Sequence, residues 1–452
     1  MIPVLAGVGM LWLQPAQSNS THDRAQELLS VVALPDAKDR RTQALRLSGA
    51  KDTPLEEWIR IVELTASLRP SGMDPGPTGP EGEKKPRPTA GVEHWHPSLF
   101  VTGGREETEI STFVPSSLDS SHPAPLLMAF HGTGGRGEDV EPMWRTIAER
   151  LGMIVVAPTE AGKNEGYAFS ERERQSALEV LRWTKRGYDV DENRVFATGI
   201  SRGGHLAWDL ALRYPDLLAA IAPMIGGPRF QLDHGQNNLR FLENVASLPI
   251  RDLQGAKDDP GLVANVRLAF ARLDKLKAID AKLLEFPELG HSFEFGAVDW
   301  VTFLGAARRN PVPERVVRVA ARTDEGRAFW VEITKLDKDV AEDVVPKVVA
   351  SAWNGLGEDG RRKLLEEEVE KRTARLEVKM TGVGRFAATG EKVSAFRLLL
   401  TASMFDPTKP VQVLFGGKPV EKKVKADPRV LLEEFVERLD RTFLPIASID
   451  VP

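Results

Sequence analysis

Between His94 and Arg309, short apolar runs alternate with helical stretches, and this alternation is what most confines the chain. Leu126 to Phe130 reads as a buried strand, Glu141 to Leu151 as a helix, and Met153 to Ala157 as another strand. A helix then opens on Ser170 and Glu173, spaced as a capping box, with Ala177, Val180, Leu181 and Thr184 on one face. Arg194 to Thr198 is a strand, His205 to Tyr214 a helix, Leu218 to Pro223 a strand. Strands alternating with helices predict an α/β fold, a doubly wound, mostly parallel sheet with right-handed crossovers. Ligands of such sheets sit beyond the carboxyl ends of the strands.

The flanks have a different texture. Residues 21–69 are helical in pattern, with Ala25, Leu28, Leu29 and Val32 at helical spacing, and likewise Trp58, Ile61, Val62 and Leu64. Residues 70–92 are dense in Pro, Gly and charge and read as a linker. The α/β unit is assigned to 93–311. Beyond Pro311 and Pro313, residues 312–452 read as a smaller, mainly β domain of unknown role. Its expected strands are Val316–Ala320, Ala328–Thr334, Leu376–Met380, Phe396–Thr401 and Val411–Phe415, with charged helices at Asp359–Arg372 and Arg429–Thr442. The acidic run Glu366 to Glu368 is expected on a solvated helix face.

At the start, the apolar run Ile2 to Leu13 is too short to span a bilayer but suits a signal-peptide core, and Ala16 and Ser18 fit a cleavage site. Residues 1–18 are thus expected to be a signal peptide and the protein to be exported, periplasmic or secreted. The basic leader is missing, and a mis-set start codon or a buried first segment is the alternative. No other stretch reads as transmembrane. A net charge of −5 from 60 basic and 65 acidic residues gives no reason to expect nucleic acid as a partner. With no cysteine, the chain has no disulfide, thiolate metal site or Cys nucleophile.

The chemistry begins at Gly199-Ile200-Ser201-Arg202-Gly203-Gly204, between an expected strand and an expected helix. A sharp turn there lifts a serine hydroxyl clear of the sheet, and the flanking glycines avoid collisions with neighbouring backbone. With 38 glycines in 452 residues, chance alone would produce this pattern about 0.2 times, so its position after a strand is what gives it meaning. His131-Gly132-Thr133-Gly134-Gly135 follows the strand ending at Phe130 and can offer backbone N–H groups to an oxyanion, together with the N–H of Arg202. It fails as a phosphate loop, and His131 is expected to be structural.

Gly255-Ala256-Lys257-Asp258-Asp259-Pro260 follows the run Leu248 to Leu253 and can supply a carboxylate to orient a histidine. Asp258 and Asp259 compete for that role, Asp258 being favoured; the other is a turn or helix cap. His291, in the loop after Ala281 to Phe286, can serve as a general base. His94 and His96 share a face but lack a third ligand, so no metal site is expected. His205 and Trp208 are expected in the core or a cleft wall.

Asp191-Glu192-Asn193-Arg194-Val195-Phe196 running into Gly199 to Gly204, then Tyr214-Pro215-Asp216-Leu217-Leu218-Ala219-Ala220, resembles the esterase branch of the α/β-hydrolases. Polyhydroxybutyrate-depolymerase-like and feruloyl-esterase-like enzymes belong to that branch, and prolyl-oligopeptidase-like peptidases are relatives. The resemblance covers roughly residues 100 to 310. It implies a triad of Ser201, Asp258 and His291, an oxyanion hole at Thr133, Gly134 and Arg202, frequent secretion, and neither metal nor cofactor. The implied activity is hydrolysis of a small-molecule or polymer carboxylic ester, with a peptidase or a catalytically silent binding module as alternatives. The family's cysteines are missing here, and Arg202 fills a slot often held by a small residue; its side chain is expected to pack against the sheet, with binding of an acidic substrate group as the alternative.

Overall fold

A computed structural model describes residues 19–68, 90–119, 121–159, 166–229, 237–341 and 348–452. The expected signal peptide lies outside the described residues, as does the expected linker up to residue 89.

Eight strands form the main sheet: β1 (Gly91–Trp95), β2 (Glu109–Val114), β3 (Ala124–Phe130), β4 (Ile154–Thr159), β5 (Val190–Ile200), β6 (Ala220–Met224), β7 (Ile250–Gly255) and β8 (Ala281–Phe286). β1 takes in the last two residues of the expected linker. The order across the sheet is β1-β2-β4-β3-β5-β6-β7-β8. β2 pairs antiparallel with β1 and β4, and from β4 to β8 all neighbours are parallel. β3 is an unbroken apolar run because both of its faces are covered. Leu126, Met128 and Phe130 point into a core shared with Val180 and Trp208, while Leu127 and Ala129 meet Trp144, Ile147 and Trp300 on the other side.

The helix Glu171–Gly187 starts with the expected capping box: Ser170 Oγ accepts from Glu173 N at 3.3 Å, and Ser170 N donates to the Glu173 carboxylate at 3.0 Å. The helix expected over Glu141–Leu151 is a 3₁₀ turn, Glu141–Trp144, running into an α-helix, Arg145–Leu151. Pro142 sits in its first turn, where its missing N–H costs nothing. The helix expected from His205 already begins at Arg202; two weakly helical glycines there mask its start.

The β-rich region holds a five-stranded sheet and a four-stranded sheet. Arg385–Glu391, Lys418–Lys422 and Ala447–Val451 are strands that apolar patterning missed. Lys418–Lys422 lies at a sheet edge, where lysines and a proline guard against further pairing and erase the apolar signal. Glu366 corrects the expectation of a solvated acidic face, since it is buried and accepts from Arg272 at 2.8 Å.

Among the described residues, the N-terminal helices meet a helix near the other end of the chain. Leu28, Trp58, Ile61 and Val62 of the N-terminal helices pack on Leu431, Leu432 and Phe435 of the helix Pro428–Arg438. Each such buried side chain contributes about 1.5–3 kcal/mol. Arg182, on the helix Glu171–Gly187, donates to Val436 O, Glu437 O and Val32 O at 2.8, 2.9 and 2.7 Å. It satisfies carbonyls that two helix ends would otherwise leave without partners. Among the described residues, no helix is long and apolar enough to cross a membrane.

Candidate active site

Ser201 follows directly on β5 and precedes the helix Arg202–Arg213. Its backbone sits at φ 56°, ψ −109°, a conformation that costs a non-glycine residue energy and persists only where the surroundings impose it. They do so here. Ser201 N donates to Met224 O on β6 at 2.8 Å, and His205 N donates to Ser201 O at 3.0 Å. A Cβ on Gly199 would stand 2.3 Å from Gly203 backbone, and one on Gly203 would stand 2.1 Å from Phe130 O. Both glycines are therefore required by close backbone approach.

Because β3, β5, β7 and β8 are parallel, the loops leaving them open on one edge of the sheet. There the structure brings Ser201, His291 and Asp258 together. The Ser201 hydroxyl lies 2.8 Å from His291 Nε2, and His291 Nδ1 lies 2.8 and 3.0 Å from the Asp258 carboxylate oxygens. Two loops fused backbone to backbone make this meeting. Lys257 N donates to Leu289 O at 2.8 Å, and a Cβ on Gly255 would fall 1.8 Å from Gly290 O.

The two aspartates differ in position, and of the two it is Asp258 that meets the imidazole. Asp259 caps the helix Pro260–Lys275, its carboxylate accepting from Leu262 N at 2.9 Å, while its own N–H donates to Asp258 Oδ1 at 2.7 Å. Burial would raise the pKa of Asp258. Hydrogen bonds from His291, Asp259 N–H and Gln254 more than offset that and hold it below the ordinary value.

The loop after β3 lies against the serine: a Cβ on Gly132 would be 3.8 Å from Ser201 Cβ. Gly135 N donates to Gly132 O at 3.0 Å, closing a turn with Thr133 and Gly134 at its centre, and Gly134 has φ 74°. Neither the Thr133 nor the Gly134 N–H has an acceptor among the described residues. His131 is buried, its Nδ1 donating to Gly132 O at 2.7 Å.

No family model matches the chain. Poly(3-hydroxyalkanoate) depolymerase C of Paucimonas lemoignei is 29% identical over 127 residues, 25% of this chain and 30% of that protein. A bifunctional acetylxylan esterase/xylanase of Neocallimastix patriciarum is 25% identical over 154 residues, 33% of this chain and 21% of its own length. Feruloyl esterase C of Emericella nidulans is 27% identical over 194 residues, covering 41% of this chain and 67% of that one. These likenesses join a sheet ordered β1-β2-β4-β3-β5-β6-β7-β8 and a strained serine between β5 and its helix. The chain has the α/β-hydrolase fold.

A cavity of ≈ 580 Å³ adjoins Ser201, with Thr133, Tyr167, Arg202, His205 and Arg229 among its walls. The side chain of Arg202 departs from the sequence expectation. It does not pack on the sheet but turns toward the segment before the helix Glu171–Gly187, donating to Gly166 O at 2.9 Å and to Glu173 at 2.8 Å. A buried guanidinium needs a carboxylate, and Glu173 is the one within reach. His205 is a cavity wall as expected; burial lowers its pKa to about 4, so its imidazole is neutral near pH 7.

Sequence reasoning missed Gln254, which is buried and donates to Asp258 Oδ2 at 2.8 Å. A lone amide at the end of the strand, just before Gly255, was its only signal. It also missed Tyr167, whose hydroxyl donates to buried Asp209 at 2.7 Å behind the cavity. Among the described residues no His, Asp and Glu side chains gather as a metal site, and His94 and His96 stay apart from the serine edge.

Proposed function

We propose that this α/β-hydrolase cleaves carboxylic esters, of a small molecule or a polymer, through an acyl-enzyme on Ser201. Ser201 Oγ attacks the acyl carbonyl while His291 Nε2 takes its proton. Asp258 accepts from His291 Nδ1–H, which fixes the tautomer and stabilises the imidazolium. The N–H groups of Thr133 or Gly134 and of Arg202 receive the tetrahedral oxyanion. The proton then passes to the leaving alcohol, and water, activated by the same histidine, releases the acid.

One observation carries this reading: the 2.8 Å contact from Ser201 to His291, continued at 2.8 Å to Asp258, on a strained turn that exposes the hydroxyl. The names of the relatives, which include acetylxylan and feruloyl esterases, favour esters over amides. The test is hydrolysis of p-nitrophenyl acetate by wild type and Ser201→Ala. Loss of one triad member leaves a residual about 10³–10⁴-fold above water, far below the wild-type rate. Equal rates for the two proteins would end the proposal, and dipeptide amides cleaved faster than esters would make the enzyme a peptidase. We propose further that residues 312–452 act as a scaffold for the hydrolase unit, a role supported by the buried ion pairs that cross between them.

A further inference from the structure

We infer that Arg229 selects the substrate, and that the ester cleaved at Ser201 carries a carboxylate on its acyl or its alcohol part. The inference rests on the ester-hydrolase reading and deepens it. The cavity beside Ser201 offers little to a long alkyl chain: Ala168 and the ring of Tyr167 are its apolar side chains among the described residues. Its charged wall consists instead of three guanidiniums, Arg172, Arg202 and Arg229, against one carboxylate, Glu173.

Two of the three cations are engaged inside the protein. Arg202 is held by Glu173 and Gly166 O. Arg172 makes a bidentate pair with Glu106 at 2.9 and 2.7 Å. Arg229 meets no carboxylate among the described residues, yet it is firmly placed. Its guanidinium lies over the ring of Phe169, 5.6 Å from the centroid, and that ring is buried and packs edge-on against His205. Its backbone is clamped on both sides, Arg229 N donating to Asn238 Oδ1 at 2.6 Å and Asn238 N to Arg229 O at 3.2 Å. A guanidinium stacked on one face keeps its N–H edges for a planar acceptor, and a carboxylate matches that fork with two parallel hydrogen bonds. Neutral His205 adds no competing charge. Arg202, the sequence's alternative for binding an acidic group, is already taken; among the described residues of the cavity wall Arg229 is the cation left for the ligand.

The test compares matched neutral and anionic esters on the full chain, with uncatalysed rates subtracted. In the acyl arm, p-nitrophenyl hexanoate is set against mono(p-nitrophenyl) adipate. In the alcohol arm, phenyl acetate is set against 3-acetoxybenzoate. Wild type is expected to favour the anionic member in one arm, with the preference falling as salt rises. Arg229→Gln should cut that anionic-to-neutral ratio of kcat/KM by about tenfold or more, the loss of a charge-assisted hydrogen bond. Arg229→Lys should retain part of it.

Adipate should also inhibit wild-type hydrolysis of p-nitrophenyl acetate competitively, a reading that needs no variant to fold. A wild-type ratio at or below unity in both arms, a ratio unmoved by Arg229→Gln, or no inhibition by adipate overturns the inference while leaving ester hydrolysis intact. If wild type cleaves none of these esters, the broader reading fails and takes this one with it.

Discussion

Glu325→Gln puts the joint between the hydrolase unit and the β-rich region to the test. Glu325 lies in the β-rich region and reaches two arginines of the hydrolase unit, pairing with Arg174 Nη2 at 3.3 Å and with Arg213 Nη1. The same arginines hold Asp209 at 3.1 and 3.0 Å, and all four side chains are at most 3% exposed. Within this quartet two positive charges face two negative ones, and a further buried guanidinium, Arg318, donates to the Glu325 carbonyl beside them. Burial would raise the pKa of Asp209, but Arg213, Arg174 and the Tyr167 hydroxyl outweigh it and keep the carboxyl ionised. Glutamine preserves shape and removes one charge, leaving a buried cation in excess.

A 3.3 Å pair has a gross attraction of about 5 kcal/mol at an effective dielectric near 20. Desolvation consumes much of that, yet breaking a buried pair from one side costs about 3–5 kcal/mol because the partner is stranded. With an unfolding entropy of about 2.1 cal/mol/K per residue over 452 residues, each kcal/mol shifts Tm by roughly 1 °C, so Tm should fall by about 3–5 °C. Thermal unfolding followed by circular dichroism reads this directly. The double variant with Arg213→Met should lose less than the sum of the singles, since the excess charge goes with it. A Glu325→Gln protein that melts within about 1 °C of wild type would refute the reasoning, because that is how surface sites behave.

The other expectations are independent of that one. Gln254→Leu removes a charge-assisted hydrogen bond to Asp258 and should lower kcat about tenfold or more with little change in KM; a change confined to KM would count against a positioning role. Asp252 is fully buried, which raises its pKa to about 8 despite a hydrogen bond from Trp208. Its folded value lies above the unfolded one, so the fold retains a proton that the unfolded chain releases, and stability declines as pH rises from about 4 to 8. Asp252→Asn should gain on wild type in Tm across that window, and a difference independent of pH would sink the argument. Gly203→Ala would force a Cβ to within 2.1 Å of Phe130 O, and strain of about 1–3 kcal/mol or more should shift the Ser201 turn and abolish the proposed ester hydrolysis. Activity retained at the wild-type level would show that the turn can relax.

Much of this molecule was legible from residues close together in sequence. The strands and helices between His94 and Arg309 follow from apolar runs and caps, because burial on two faces and the capping box at Ser170 act over a few residues. The serine turn is local too, its glycines lying within two residues of Ser201. The order serine, acid, histidine was an expectation from sequence that left Asp258 and Asp259 in competition; only the fold sets one carboxylate on the imidazole and the other on a helix N-terminus.

What the sequence left open depends on groups brought together from afar. Arg202 and Glu173 are 29 residues apart, and Arg213 and Glu325 are 112 apart. Hydrogen bonds and buried ion pairs act over a few ångströms, and no periodicity records which distant side chain will arrive within that reach. Tertiary structure alone therefore decided that Arg202 is spent on Glu173, that Gln254 braces Asp258, and that Arg229 is stacked and left facing the cavity. The same is true of the N-terminal helices on the helix Pro428–Arg438, where two apolar stripes at opposite ends of the chain each lacked a partner until the fold brought them into contact.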